Sequence, residues 1–104
     1  MLLLDDDDEL PVTPHAEETA LAERLGVEGL RAIDTALLEF TGTVQRKVAA
    51  IVARALDAGG FPASDEYVDL HVRRLIGLVQ AGKLVVFGDP RKPRWSEARV
   101  SGAP

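Results

Sequence analysis

Apolar residues recur at helical spacing in four stretches of the chain, and two short β-branched runs follow them. Val68, Val72, Leu75 and Val79 fall at i, i+4, i+7 and i+11, and His71, Ile76 and Leu78 widen the stripe. This spacing predicts a helix over 65–81 buried along one face. Ser64 is placed to cap it, its hydroxyl accepting from an orphan amide one turn in, and Asp65 and Glu66 put negative charge at the positive end of the helix dipole. Gly82 follows the last periodic residue, where a left-handed turn is cheapest for glycine, and the apolar run 84–87 predicts a strand over 83–87. Gly88, Asp89, Pro90 and Pro93 are loop residues, so 88–93 reads as the tip of a hairpin whose second strand is 94–100.

Upstream, Thr13 before Pro14 predicts a helix start, with Glu17 and Glu18 in its first turn, Ala20, Leu21 and Leu25 as its apolar side, and Gly26 closing it. Leu30, Ile33, Leu37 and Phe40, with Leu38 beside them, predict a second helix over 28–40 that Gly42 breaks. Thr43 is then placed to cap a third helix in which Val44, Val48, Ile51, Val52, Ala55 and Leu56 form one stripe while Arg46, Lys47 and Arg54 face away. Gly59 and Gly60 end it, and Phe61 is expected to plug the junction with the next helix. The expected fold is therefore mainly α with a small C-terminal β-hairpin, a winged-helix-like bundle of three to four helices.

At 104 residues there is room for one modest core, read as a single domain over 13–104 preceded by an acidic flexible arm over 1–12. No cysteine is present, which removes disulfides, zinc ribbons and thiol nucleophiles. No apolar run approaches the length of a membrane span, and the aspartates after Met1-Leu2-Leu3-Leu4 are the wrong charge for a secretory signal, so a cytoplasmic protein without a membrane partner is expected. The net charge of −5 is unevenly divided: residues 1–43 hold eleven acids against Arg24 and Arg31, a net of −9, and the remainder carries +4. The two halves can attract each other or present different faces to partners.

An ordered set of residues resembles a known family. Leu30-Arg31-Ala32-Ile33-Asp34 and Leu37-Leu38 precede Lys47-Val48-Ala49, Ile51-Val52 and Ala55-Leu56. Then come Asp65, Arg74-Leu75, Leu78-Val79, Ala81-Gly82-Lys83-Leu84, Gly88-Asp89 and the run Arg94-Trp95-Ser96-Glu97-Ala98-Arg99-Val100. Over residues 28–100 the chain is similar to a bacterial domain of unknown function, number 3658. It departs from that pattern at Val44-Gln45, where an aromatic usually opens the helix, and in its more basic Arg91-Lys92-Pro93 tip. The resemblance implies no catalytic residues and suggests a stand-alone version of the domain with residues 1–12 as an added arm.

No constellation of residues points to catalysis. Ser64, Asp69 and His71 are near in sequence, but Ser64 is read as a cap and His71 sits beside a core stripe, where a histidine packs rather than acting as a base. Neither His15 nor His71 falls in a metal-ligand spacing, so no enzyme activity, metal or cofactor is expected. Charge points instead to macromolecule binding through Arg91, Lys92, Arg94 and Trp95 at the hairpin tip, with Arg73 and Arg74 as helpers on the preceding helix. The basic tip can alternatively be a solvated loop paired with the acidic front half, and Trp95 can pack across the hairpin onto Val85 or Phe87. A winged helix would use these residues on DNA, yet Asp65, Glu66 and Asp69 on its recognition helix and a pI near 4.9 oppose phosphates. The expectation is a protein partner, in an adaptor or antitoxin-like and immunity-like role, with a DNA-binding regulator as the alternative and a monomer or homodimer as the assembly.

Overall fold

The structure, a computed structural model, describes residues 9–102. Helix α1 (Ala16–Thr41) leads into a two-residue strand β1 (Arg46–Lys47), then α2 (Val48–Gly59), α3 (Asp65–Gln80), β2 (Leu84–Phe87), a 3-10 turn (Pro93–Trp95) and β3 (Glu97–Val100). The strands form one antiparallel sheet in the order β1-β3-β2, with Leu84 opposite Val100, Phe87 opposite Glu97, and Arg46 opposite Ala98. Three helices with a small C-terminal sheet make the mainly helical fold that the apolar pattern predicts, and it is compatible with a winged helix.

Gly26 divides α1 into two arms. Its φ of 67° and ψ of −174° lie in a region essentially reserved for glycine, so the helical run kinks there and the two predicted helices appear as one interrupted element. Leu21, Ile33 and Leu37 of α1 meet Val48, Ile51, Val52 and Ala55 of α2 and Val68, Val72 and Leu75 of α3, all 2% exposed or less. Leu84 and Ala98 close this core from the sheet.

Several local expectations are corrected. Thr43 does not cap α2: Lys47 holds the N-cap position, Arg46 and Lys47 pair with β3, and Val44 is 64% exposed rather than part of the core stripe. A two-residue polar strand has no periodicity of its own, and it forms because the outer edge of β3 offers unpaired backbone groups. The second hairpin strand begins at Glu97 rather than Arg94. Pro93 suits the first position of a short 3-10 turn, in which the Trp95 amide donates to the Lys92 carbonyl at 2.9 Å, and this carries Arg94 and Trp95 out of the ladder. Gly88, at φ 90°, opens that loop, and a Cβ there would meet the Trp95 carbonyl oxygen at 2.9 Å. At the front of the domain, helix α1 starts at Ala16 with His15 as N-cap, not at Thr13. Ser64 does stand at the α3 N-cap, but its hydroxyl donates to the Glu66 carboxylate instead of accepting from the backbone.

The arm expected to be flexible is held at its inner end. Leu10 is 1% exposed, its amide donates to the Arg91 carbonyl at 2.7 Å, and its own carbonyl accepts from the Arg91 guanidinium at 3.0 and 3.1 Å. The rest of that arm, residues 1–8 with the leucines and the aspartate run, lies outside the described residues. Among the described residues no helix is long and apolar enough to cross a membrane.

Candidate functional site

The arginines read from the sequence as helpers are engaged within the molecule. Arg73 makes a two-pronged contact with Glu18, Nε to Oε2 at 2.5 Å and Nη2 to Oε1 at 3.2 Å, and Nη2 also donates to the Pro11 carbonyl at 3.0 Å. The Glu18 side chain is 3% exposed, so its charge depends on that guanidinium. Arg74 makes the same kind of fork with Asp34 at 2.9 and 2.6 Å, and this hydrogen bonding raises the guanidinium pKa further above its usual value against the opposing effect of burial. At the hairpin tip Arg91 pairs with Glu9 at 2.8 Å besides holding Leu10, and Lys92 lies 3.6 Å from the same carboxylate.

These contacts enclose the middle of α3. Residues 68–72 are all buried, and five consecutive residues sweep more than a full turn, so no side of the helix presents an exposed residue there. Val68, His71 and Val72 lie on one side of the helix, Leu70 joins the core from another beside Ala22 and Leu30, and Asp69 lies near His15, Glu17 and Glu18 at the first turn of α1. A recognition helix would need exposed residues there for the major groove.

A different face presents the remaining candidates. Trp95 is 62% exposed; the Lys47 ammonium sits 5.9 Å from its ring centroid and donates to the Arg94 carbonyl at 3.2 Å. That distance is within cation–π range. Lys47 and Arg94, with Ala49 and Ala50 from the first turn of α2, line a shallow depression of about 250 Å³. No side chain caps α2 and no acid occupies its first turn, so the positive end of its dipole adds to the two cations. On the outer face of the hairpin, Phe87 is 39% exposed and has the Arg99 guanidinium 5.9 Å from its ring.

Ser64, Asp69 and His71 do not form a relay. His71 is 1% exposed, its Nδ1 donates to the Tyr67 carbonyl at 2.8 Å, and its ring meets Phe61 edge-on at 5.6 Å. Its Nε2 has no hydrogen-bond partner, and burial lowers its pKa against the raising effect of the Tyr67 carbonyl. Asp69 instead lines a cavity of about 350 Å³ between the first turns of α1 and α3, together with His15, Glu17, Glu18, Asp65 and Glu66. Burial, and then the charges of Glu18 and Asp65, push its carboxyl up to about 6.

Lys47 is the site residue that the sequence pattern concealed, because its helical phase placed it on the solvent side of a helix rather than in a strand beside Trp95. The acidic cavity did leave a signal, in carboxylates crowding the first turns of two separate helices. No protein-family model, curated protein or solved structure matches the chain, and the resemblance read over residues 28–100 rests on those residues alone.

Proposed function

We propose that the protein is a non-enzymatic, winged-helix-like binding module that docks an acidic segment of a protein partner on the face formed by Trp95, Lys47 and Arg94, in an adaptor or antitoxin-like role. The observation that carries this reading is the enclosure of residues 68–72 of α3, which leaves the fold's usual DNA-reading helix without an open middle. Lys47, whose ammonium lies 5.9 Å from the exposed Trp95 ring and which lines a shallow depression with Arg94, joins those two residues of the sequence-based set, while Arg73, Arg74 and Arg91 contact Glu18, Asp34 and Leu10. A half-exposed indole flanked by cations supplies apolar area and charge together, as interface hot spots do.

The alternative, DNA binding, draws support from the uncapped start of α2, since backbone amides and two cations suit a phosphate as well as a carboxylate. Trp95 is the sole tryptophan, so its emission reports directly on this face. Titration with a glutamate-rich peptide should shift that emission saturably, and Lys47→Glu with Arg94→Glu should abolish the shift. Random duplex DNA binding tighter than ~10 μM at low salt, with a log–log salt slope near ~−5 for six phosphates, would replace this reading with the alternative.

A further inference from the structure

The two edges of the sheet are built differently. β1 is two residues long, and both, Arg46 and Lys47, are charged. At the opposite edge β2 runs Leu84-Val85-Val86-Phe87, with no charge, proline or bulge within it. Sheets commonly protect an edge with such features, because its unpaired amides and carbonyls are a template for another strand.

The phase of the ladder fixes which groups of β2 point outward. The Ser101 amide donates to the Lys83 carbonyl at 3.0 Å, and Val85 lies opposite Arg99 and Phe87 opposite Glu97, so residues 83, 85 and 87 turn their backbone groups toward β3. The amides and carbonyls of Leu84 and Val86 therefore face away from it. Among the described residues no strand or loop pairs with them. Side chains alternate in the same way: Leu84 joins the core with Ala98, while half-buried Val85 and 39% exposed Phe87 lie on the outer face, where the Arg99 guanidinium is 5.9 Å from the phenyl ring.

We infer that the edge of β2 is a self-association surface, to which β2 of a second copy of this chain adds antiparallel about a two-fold axis. Charge selects the occupant. Exposed Lys83 precedes the strand and exposed Asp89 stands just past its other end, so an antiparallel pair sets each lysine near the second copy's aspartate, whereas a parallel pair would bring like charges together. Asp89 Oδ1 accepts from the Arg91 amide at 3.0 Å, and Arg91 and Lys92 beyond it contact Glu9.

Centring the axis on Val86 gives the register. Val86 then exchanges two backbone hydrogen bonds with its counterpart, Leu84 faces Gly88, Val85 faces Phe87 and Lys83 faces Asp89. Outward groups of one copy meet outward groups of the other throughout. The two Val85–Phe87 pairs take the non-hydrogen-bonded positions, where side chains approach most closely, and they cover the exposed rings. Centring on Val85 would oppose Lys83 to Phe87 instead. Two short strands bury far less than the roughly 1,200 Å² of a stable complex, so the association is weak, with a Kd on the order of 0.1 mM.

Sedimentation equilibrium on the intact chain from about 10 μM to about 2 mM, with amide hydrogen exchange followed at both limits, tests this. A monomer–dimer equilibrium is expected, with the Leu84 and Val86 amides more protected at high concentration and those of Val85 and Phe87 unchanged. Val86→Pro removes an outward amide that β3 does not use and should abolish the dimer. Lys83→Glu places like charges at both ends of the pair and should weaken it about tenfold, and adding Asp89→Lys should restore it. These two positions flank the strand, so they decide the matter even where the proline variant fails to fold. A monomer throughout, Val86 protection independent of concentration, which would put a segment of the same chain on the edge, or a dimer indifferent to Lys83→Glu would overturn the inference.

Discussion

Two sets of cations, close in sequence, meet different fates in this fold. Arg73, Arg74 and Arg91 lie against carboxylates or carbonyls contributed by residues 9–34, and they hold that front segment over α3 and the hairpin. Lys47 lies over the exposed Trp95 ring and lines a shallow depression with Arg94 at the root of the hairpin. Composition alone would assign all five to one basic surface. The acidic front half holds the first set: where the carboxylates of Glu9, Glu18 and Asp34 reach, a cation becomes part of the internal structure. A basic patch is therefore a property of the folded chain, and its size can be much smaller than the count of Lys and Arg suggests.

The comparison breaks most visibly at Arg73. Its removal leaves Glu18 charged and buried without its partner, so Arg73→Ala is expected to cost about 3–5 kcal/mol, a large share of the total stability of a domain this size. Chemical denaturation measures this, and Glu18→Gln combined with Arg73→Gln should recover much of the loss, since the double variant leaves no unpaired charge. Equal destabilisation by Arg94→Ala would erase the distinction between the two sets. Next in size is Leu10→Ala, which empties a fully buried position where the front segment meets the hairpin, at about 2–3 kcal/mol. Hydrogen exchange at the Leu10 amide, now bonded to the Arg91 carbonyl, should accelerate ahead of the core helices.

How much of this was legible in the sequence follows the range of the interactions. Helix α3 could be read because periodicity and the following glycine act within a few residues, and the breaks at Gly26 and Gly42 because both glycines adopt positive φ. Strand β1 could not be read, since two polar residues become a strand only by lying against Ala98 and Glu97 some fifty positions later. The 3-10 turn at Pro93 was masked by the aromatic and β-branched character of the residues after it. At the site, Trp95 lies in the 3-10 turn ahead of a ladder that starts three residues later than the pattern placed it. Glu18 looked like any solvated first-turn acid. Only its partner 55 residues away and the packing of residues 10–12 bury it.

Asp69 sharpens the comparison from the paired side, as a largely buried carboxylate beside Glu18 and Arg73. Its folded-state pKa of about 6 exceeds the ordinary 3.8, chiefly through burial, so the folded protein holds the proton more tightly than the unfolded chain does. The stabilisation from that proton is full below about pH 4, is lost as pH rises through about 6, and is absent above that. Asp69→Asn should therefore flatten the decline in stability between pH 4 and pH 6 and raise the unfolding midpoint at pH 7.5, by about 1–2 kcal/mol. A variant whose pH profile matches that of the parent would show that the Asp69 carboxylate finds compensation within the fold.

The smallest effect is expected at Lys47, and its smallness is the point. The ammonium lies over an exposed indole and donates to one exposed carbonyl, contacts that water replaces readily, so Lys47→Ala should change stability by about 0.5 kcal/mol or less. The same substitution should alter Trp95 emission, because the cation no longer lies near the ring, and should weaken the acidic-peptide response several-fold. Stability and binding thus part company here, whereas at Arg73 loss of the side chain is felt first in folding. If Lys47→Ala unfolded the protein as Arg73→Ala does, the root of the hairpin would belong to the structural set, and the docking face would have to be sought elsewhere.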